Sequence, residues 1–203
     1  MTTPALPVLY SFRRCPYAIR ARMALRYAGI EVTVREVALG DKPADMLALS
    51  PKATVPVLHL PSGEVIDQSL GIMQWALAQS DPQGWLHAGP STESSKWITL
   101  NDDVFKPLLD RYKYATRHPE LPRSAHRAAA ITAFMAPLNV RLLQTPYLFG
   151  PSPSVADVAL FPFVRQFAFV DKAWFDAAPL AGVQAWLAAW LGSELFLAVM
   201  KKD

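Results

Sequence analysis

The only cysteine of this 203-residue chain, Cys15, stands in the run Ser11-Phe12-Arg13-Arg14-Cys15-Pro16-Tyr17-Ala18, where an apolar stretch gives way to a helical pattern. A lone cysteine is most often a small buried hydrophobe. This position favours a reactive thiol instead. Val8, Leu9, Tyr10 and Phe12 predict a short buried strand, Pro16 has the fixed φ suited to a first helical residue, and Ala21 to Ala28 are mostly good helix formers before Gly29. Cys15 is thereby placed at the helix N-cap. There the amides of Tyr17 and Ala18 and the positive end of the helix dipole favour a thiolate, and Arg13 and Arg14 add positive charge. A thiolate of this kind attacks disulfides and electrophiles.

With one cysteine, no intramolecular disulfide and no cysteine-based zinc cluster can form, which predicts a reducing, cytoplasmic setting and no metal. Met1 to Pro7 carry neither a basic n-region nor a long apolar run, so no secretory leader is expected. The most apolar stretch, Val155 to Val170, is interrupted by Asp157, Pro162 and Arg165 and reads as a buried helix, not a membrane span. Formal net charge is +3, with the cations dispersed as Arg20, Arg22 and Arg26, then Arg111, Lys113 and Arg117, then Arg123 and Arg127. Such groups read as solvated helix faces, not as a nucleic-acid surface.

The elements that must position Cys15 follow in order. Ile30 to Val37 alternates apolar and polar residues like a half-buried strand, which after the first strand and helix makes a right-handed, parallel βαβ unit. The loop Gly40-Asp41-Lys42-Pro43 leads into a short helix over Ala44 to Leu49. Lys52 to Leu60 reads as the next strand, and a turn at Pro61-Ser62-Gly63 returns Glu64 to Ile66 antiparallel to it. Ser69 is expected to cap a helix over Leu70 to about Ala78. Residues 1–80 thus form an α/β domain of order βαβαββα. Pro- and Gly-rich residues 81–90 read as a linker. Residues 91–203 read as all helical, with helices near Thr92 to Arg117, Pro122 to Leu143, Ser154 to Phe169, Pro179 to Leu191 and Glu194 to Met200. Ser154-Val155-Ala156-Asp157 has capping-box spacing, with Asp in place of the usual Glu or Gln.

Cys15-Pro16-Tyr17-Ala18 on this element order, Thr54-Val55-Pro56-Val57-Leu58, Gln68-Ser69, and Ser154 to Asp157 in a helical second half together resemble the glutathione S-transferase superfamily over nearly the whole chain. The Cys-Pro-aromatic-Ala turn is similar to the cysteine-type branch, the omega-like and glutaredoxin-like members, in a bacterial style. The resemblance implies a thioredoxin-like first domain, an all-helical second domain and a homodimer, with glutathione as co-substrate. It also implies that Cys15 meets the glutathione sulfur, that Pro56 is cis, and that the backbone of Val55, beside Thr54, pairs with the tripeptide. Lys42 corresponds to a lysine near the glycine carboxylate, and Gln68 and Ser69 to the γ-glutamyl site at a helix N-terminus. Many relatives carry Glu where this chain has Gln68. A neutral amide pairs less strongly with the ligand's ammonium, by about 1 kcal/mol.

The leading reading is a glutathione-dependent thiol transferase or reductase. Cys15 attacks a glutathionylated substrate, releases the reduced substrate and retains glutathione as a mixed disulfide, with small disulfides, dehydroascorbate-like oxidants or glutathionyl adducts as the substrate classes. Position 18 is Ala, so a second glutathione must resolve that intermediate. Two alternatives stand beside it. One is conjugation of glutathione to an apolar electrophile, in a cleft lined by Phe12, Tyr112, Tyr114 or Trp174. The other is a non-catalytic module that keeps the fold to bind a protein.

Overall fold

The computed structural model describes residues 5–38 and 40–201. Its contacts divide the chain into two compact units, one running to Gln83 and taking in the segment from Glu194 on, the other spanning Gly84–Ser193. The boundary falls within the stretch read as a linker, and the C-terminal helix joins the first unit.

The first unit follows the expected order: β1 (Val8–Ser11), α1 (Pro16–Tyr27), β2 (Thr33–Glu36), α2 (Ala44–Leu49), β3 (Val57–His59), β4 (Val65–Ile66) and α3 (Ser69–Gln79). This is a thioredoxin-like arrangement. The four-stranded sheet has the order β2-β1-β3-β4, with β1 parallel to β2 and antiparallel to β3, and β3 antiparallel to β4. α1 stops where Gly29, at φ 71°, accepts the left-handed conformation that a helix end needs. Helix α11 (Glu194–Met200) and α3 both pack against α1.

Three expectations are corrected here. β2 is an edge strand whose four residues are all exposed, not a half-buried one; only Val37, just past its end, enters the core beside Tyr10, Met46, Val55 and Val57. β3 is confined to Val57–His59 because Ala53 turns the chain at φ 54° and Pro56 has no N–H to give a ladder, so pairing starts after it. Arg20 and Arg22 are not solvated. They are 1% and 7% exposed, because α1 is covered on almost every side.

The second unit is helical. The predicted helix near Thr92 to Arg117 is α4 (Ser91–Thr99), a wider π-type stretch over Leu100–Phe105 and α5 (Lys106–Lys113). The next is α6 (Arg123–Ala130), a second π-type stretch over Ile131–Met135 and α7 (Ala136–Leu142). Each π-type stretch ends two residues before a proline, Pro107 or Pro137. A proline ring clashes with the carbonyl four residues back, and a wider turn moves that carbonyl away. α8 (Val155–Ala168) follows, then α9 (Lys172–Ala177), which the sequence reading missed, and α10 (Ala181–Leu191). α9 is capped by Asp171, whose Oδ1 accepts from the Trp174 amide at 3.1 Å. At Gly182 a Cβ would lie 2.9 Å from the Asn139 carbonyl oxygen, so only glycine lets α10 approach α7 this closely.

The capping box at Ser154 forms as expected, and Asp157 is fully buried. Its Oδ1 accepts from the Leu148 amide at 3.0 Å and Trp186 Nε1 at 2.9 Å; its Oδ2 accepts from the Ser154 amide at 2.9 Å and hydroxyl at 2.6 Å. Burial pushes this carboxyl above its ordinary value, and the four donors oppose that. Phe105 stacks on Phe134 at 4.2 Å, and Phe167 joins Phe105 to Tyr112. Tyr112 is therefore core rather than lining. No single helix among the described residues is long and apolar enough to cross a membrane.

Candidate functional site

Cys15 is the N-cap of α1, with extended backbone at φ −70°, ψ 123°. Its amide donates to the Phe12 carbonyl at 2.9 Å and its own carbonyl accepts from Ile19 at 2.9 Å, so the residue closes the turn after β1 and starts the helix in one step. The side chain is half-buried against the cluster of Tyr10, Val37, Met46, Val55 and Val57. The expected bonds from the Tyr17 and Ala18 amides to sulfur are not made. A neutral thiol is a donor, and it turns toward an acceptor: Sγ lies 3.8 Å from the Val55 carbonyl oxygen. The helix N-terminus still faces the sulfur's end of the helix, where its dipole favours negative charge.

The Val55–Pro56 peptide bond is cis. Val55 and Pro56 are buried, and Thr54 before them is exposed. Cys15 and the Val55 backbone are thus brought together by two separate segments.

The chain on the far side of this loop is held by Asp67, whose Oδ2 accepts from Ser50 at 3.0 Å and whose Oδ1 pairs with Lys52 at 3.1 Å. Lys52 first and then Ser50 hold the Asp67 carboxyl below its ordinary value against the effect of partial burial. Asp67 therefore points away from the helix start, and the exposed Gln68 is the N-cap of α3, its carbonyl accepting from Ile72 at 2.9 Å. Ser69 is the first helical residue, not a cap. Its buried hydroxyl accepts from Arg20 Nε at 3.0 Å. Lys42 is half-exposed in the loop before α2 and forms no ion pair with the other described residues.

That loop is braced by a trio absent from the sequence reading. The Tyr10 hydroxyl donates to Asp45 Oδ2 at 2.9 Å, and Arg35 reaches both the Asp45 carboxylate and the Tyr10 oxygen. Burial and then Asp45 raise the Tyr10 hydroxyl from its ordinary value, while the bond from Tyr10 lowers Asp45. The trio joins β1, β2 and α2 around the cluster that Cys15 packs on. No group of three or more His, Cys, Asp or Glu that could hold a metal ion comes together among the described residues.

Of the aromatics considered as lining, Phe12 packs on the Cys15 cluster, Tyr114 is 38% exposed beneath Lys113 and Arg117, and Trp174 lies 4.0 Å from the Arg127 guanidinium. Each has a local partner that accounts for its place.

Comparisons with known proteins agree with this fold. Residues 9–84 match the family described as glutathione S-transferase, N-terminal domain, and residues 107–189 match glutathione S-transferase, C-terminal domain. Glutathione S-transferase omega-1 of Mus musculus is 25% identical over 197 residues, covering 96% of this chain and 76% of its own. Among solved structures, a glutathione transferase family member from Pseudomonas fluorescens pf-5, with two glutathione bound, superposes with a TM-score of 0.81 at 17% identity, over 98% of this chain and 94% of that one. Glutathione transferase Omega 3C from Trametes versicolor gives 0.78 at 23% identity, over 99% and 91%. At these identities the two structures speak to the fold.

Proposed function

The chain belongs to the glutathione S-transferase superfamily, and from that premise we propose that it is a glutathione-dependent thiol transferase or reductase acting through Cys15. The observation that carries this reading is the placement of Cys15 Sγ, half-exposed at the start of α1 and 3.8 Å from the Val55 carbonyl. The sulfur lies beside the backbone on which an extended peptide would pair.

The reaction needs no other cysteine. The Cys15 thiolate attacks the glutathione sulfur of a glutathionylated substrate; the substrate S–S bond breaks, its thiolate leaves and takes up a proton, and Cys15 is left in a mixed disulfide with glutathione. A second glutathione thiolate attacks the glutathione sulfur of that disulfide, releasing oxidised glutathione and regenerating Cys15. The amides of the first turn of α3 suit the γ-glutamyl carboxylate, with Gln68 at the ammonium and Lys42 at the glycine end. The same reading carries a homodimer and a reducing, cytoplasmic compartment, in keeping with an unpaired cysteine. Conjugation to an apolar electrophile is less well supported, since Cys15 exchanges with any glutathione disulfide that enters the site and is then held as a mixed disulfide.

The test is the intact mass of the protein after incubation with glutathione disulfide, beside Cys15→Ala. One glutathionyl group on the wild type, none on the variant, and release by reduced glutathione are expected. An accessible Cys15 that alkylates but takes up no glutathione would overturn the reading and leave a binding module.

A further inference from the structure

The turn that presents Cys15 is pinned at both peptide groups of Arg13 by charged side chains from different elements. The Arg13 amide donates to Glu36 Oε1 of β2 at 2.8 Å, and its carbonyl accepts from Nη2 of Arg22 at 2.7 Å. Nη1 of the same guanidinium donates to the buried Ser11 hydroxyl at 2.7 Å, and Nη2 also contacts Met200 Sδ of α11 at 3.6 Å. Arg22 thus clasps the end of β1, the turn itself and the C-terminal helix.

Its reach is a property of α1. Helical side chains lean toward the N-terminus, so a long one two turns into the helix runs back toward its start, where Cys15 stands. We propose that Arg22 is a positioning residue for Cys15, holding the Phe12–Cys15 turn with its planar fork and keeping a fixed positive charge on that turn; this rests on the reading of Cys15 as the nucleophile. A neutral side chain could fill the space, yet this one keeps a cation 93% buried, with Nε buried and without a hydrogen-bond partner among the described residues. The planar fork makes several directed bonds at once, which a lysine ammonium does with less geometric control. Burial lowers the guanidinium from its ordinary value, and Glu36 and an ionised Cys15 counteract that, so the three charges act on one another.

The experiment compares Arg22→Met, Arg22→Lys and Glu36→Ala with wild type. Four quantities are read at one pH: the rate of Cys15 alkylation by iodoacetamide, kcat and KM for glutathione, and the thermal unfolding midpoint. Arg22→Met is expected to slow alkylation and kcat about tenfold while KM moves less than about twofold. Arg22→Lys, which keeps the charge, should recover a large part of that rate. Glu36→Ala, on an exposed strand, folds whether or not the arginine variants do, and should slow alkylation several-fold. Wild-type alkylation in Glu36→Ala and in whichever arginine variants fold, or equal losses in Lys and Met that track only the unfolding midpoint, would overturn the proposal. Alkylation does not involve glutathione. If Cys15 takes up no glutathione and its alkylation still depends on Arg22, the proposed activity falls and the positioning role stands.

Discussion

The hydroxyl of Ser69 is turned into the protein, where it accepts a 3.0 Å hydrogen bond from Arg20 Nε. Both residues are buried, so this contact joins α1 to the start of α3 and is part of the packing before it is part of any ligand site. Gln68, exposed at the N-cap, is left as the side chain at this corner free to approach a γ-glutamyl end.

The two residues should therefore separate under mutation. Ser69→Ala removes an acceptor from a charged buried donor and is expected to lower unfolding free energy by about 2 kcal/mol. If glutathione binds as proposed, Gln68→Glu places a carboxylate opposite its ammonium and is expected to tighten glutathione binding about fivefold with little change in stability. Calorimetric titration with glutathione, beside urea unfolding of each variant, checks both. A Gln68→Glu variant that binds no better would show that the ammonium lies elsewhere.

Asp67 gives the first unit a pH dependence with a definite sign. Its folded carboxyl lies below its ordinary value, chiefly through Lys52 and then Ser50, so the unfolded chain binds the proton more readily. Stability from this group is fully present above the ordinary carboxylate range and is lost as pH falls through the lowered folded value. Asp67→Asn should be less stable than wild type near neutral pH, and the two should converge as pH falls through the lowered folded value. The pair is partly exposed, so the difference is small. Denaturant midpoints across the acid range measure it; a gap between the two proteins that stays constant with pH would refute the account.

Much of this site was legible because its signals are local. The strand-to-helix change around Cys15, the Pro16 position, the hairpin after Val57 and the Ser154 to Asp157 spacing each depend on neighbours in sequence, and each formed. What failed depends on distant partners. Nothing near Arg20 and Arg22 distinguishes an arginine facing water from one covered by α3 and α11, and nothing near Val34 reveals that β2 lies at the sheet edge. Lys52 to Leu60 reads as one strand, but the left-handed Ala53 splits it and moves pairing to Val57. The Tyr10, Arg35 and Asp45 trio spans three elements, so no window of the sequence contains it. α9 did leave a trace, since Asp171 stands three residues before Trp174 at capping distance.

Asp157 carries the second unit's most connected polar contact. Asp157→Ala leaves the donors of Ser154, Leu148 and Trp186 buried without their acceptor, and a loss of roughly 4 kcal/mol is expected. Ser154→Ala removes only the hydroxyl and keeps three of the four contacts, so it should cost less. Urea unfolding of each variant beside wild type measures the loss. Equal losses for the two variants would mean that the helix cap, not the carboxylate, is the element that matters.

Cys15→Ser separates the thiol transferase from conjugation. A serine hydroxyl keeps the size of the thiol and can donate to the Val55 carbonyl, so the fold and glutathione binding should persist. It cannot form a disulfide. Turnover of a glutathionylated peptide, followed by release of the free thiol, should fall below detection. Conjugation of a chlorinated nitroarene should hold or rise, because a hydroxyl donates to the glutathione thiolate without trapping it. Disulfide turnover that survives the substitution would remove Cys15 from the mechanism. If both reactions are absent from the wild type while the variant still binds glutathione, the chain is a binding module, and Cys15 is one of its packing residues.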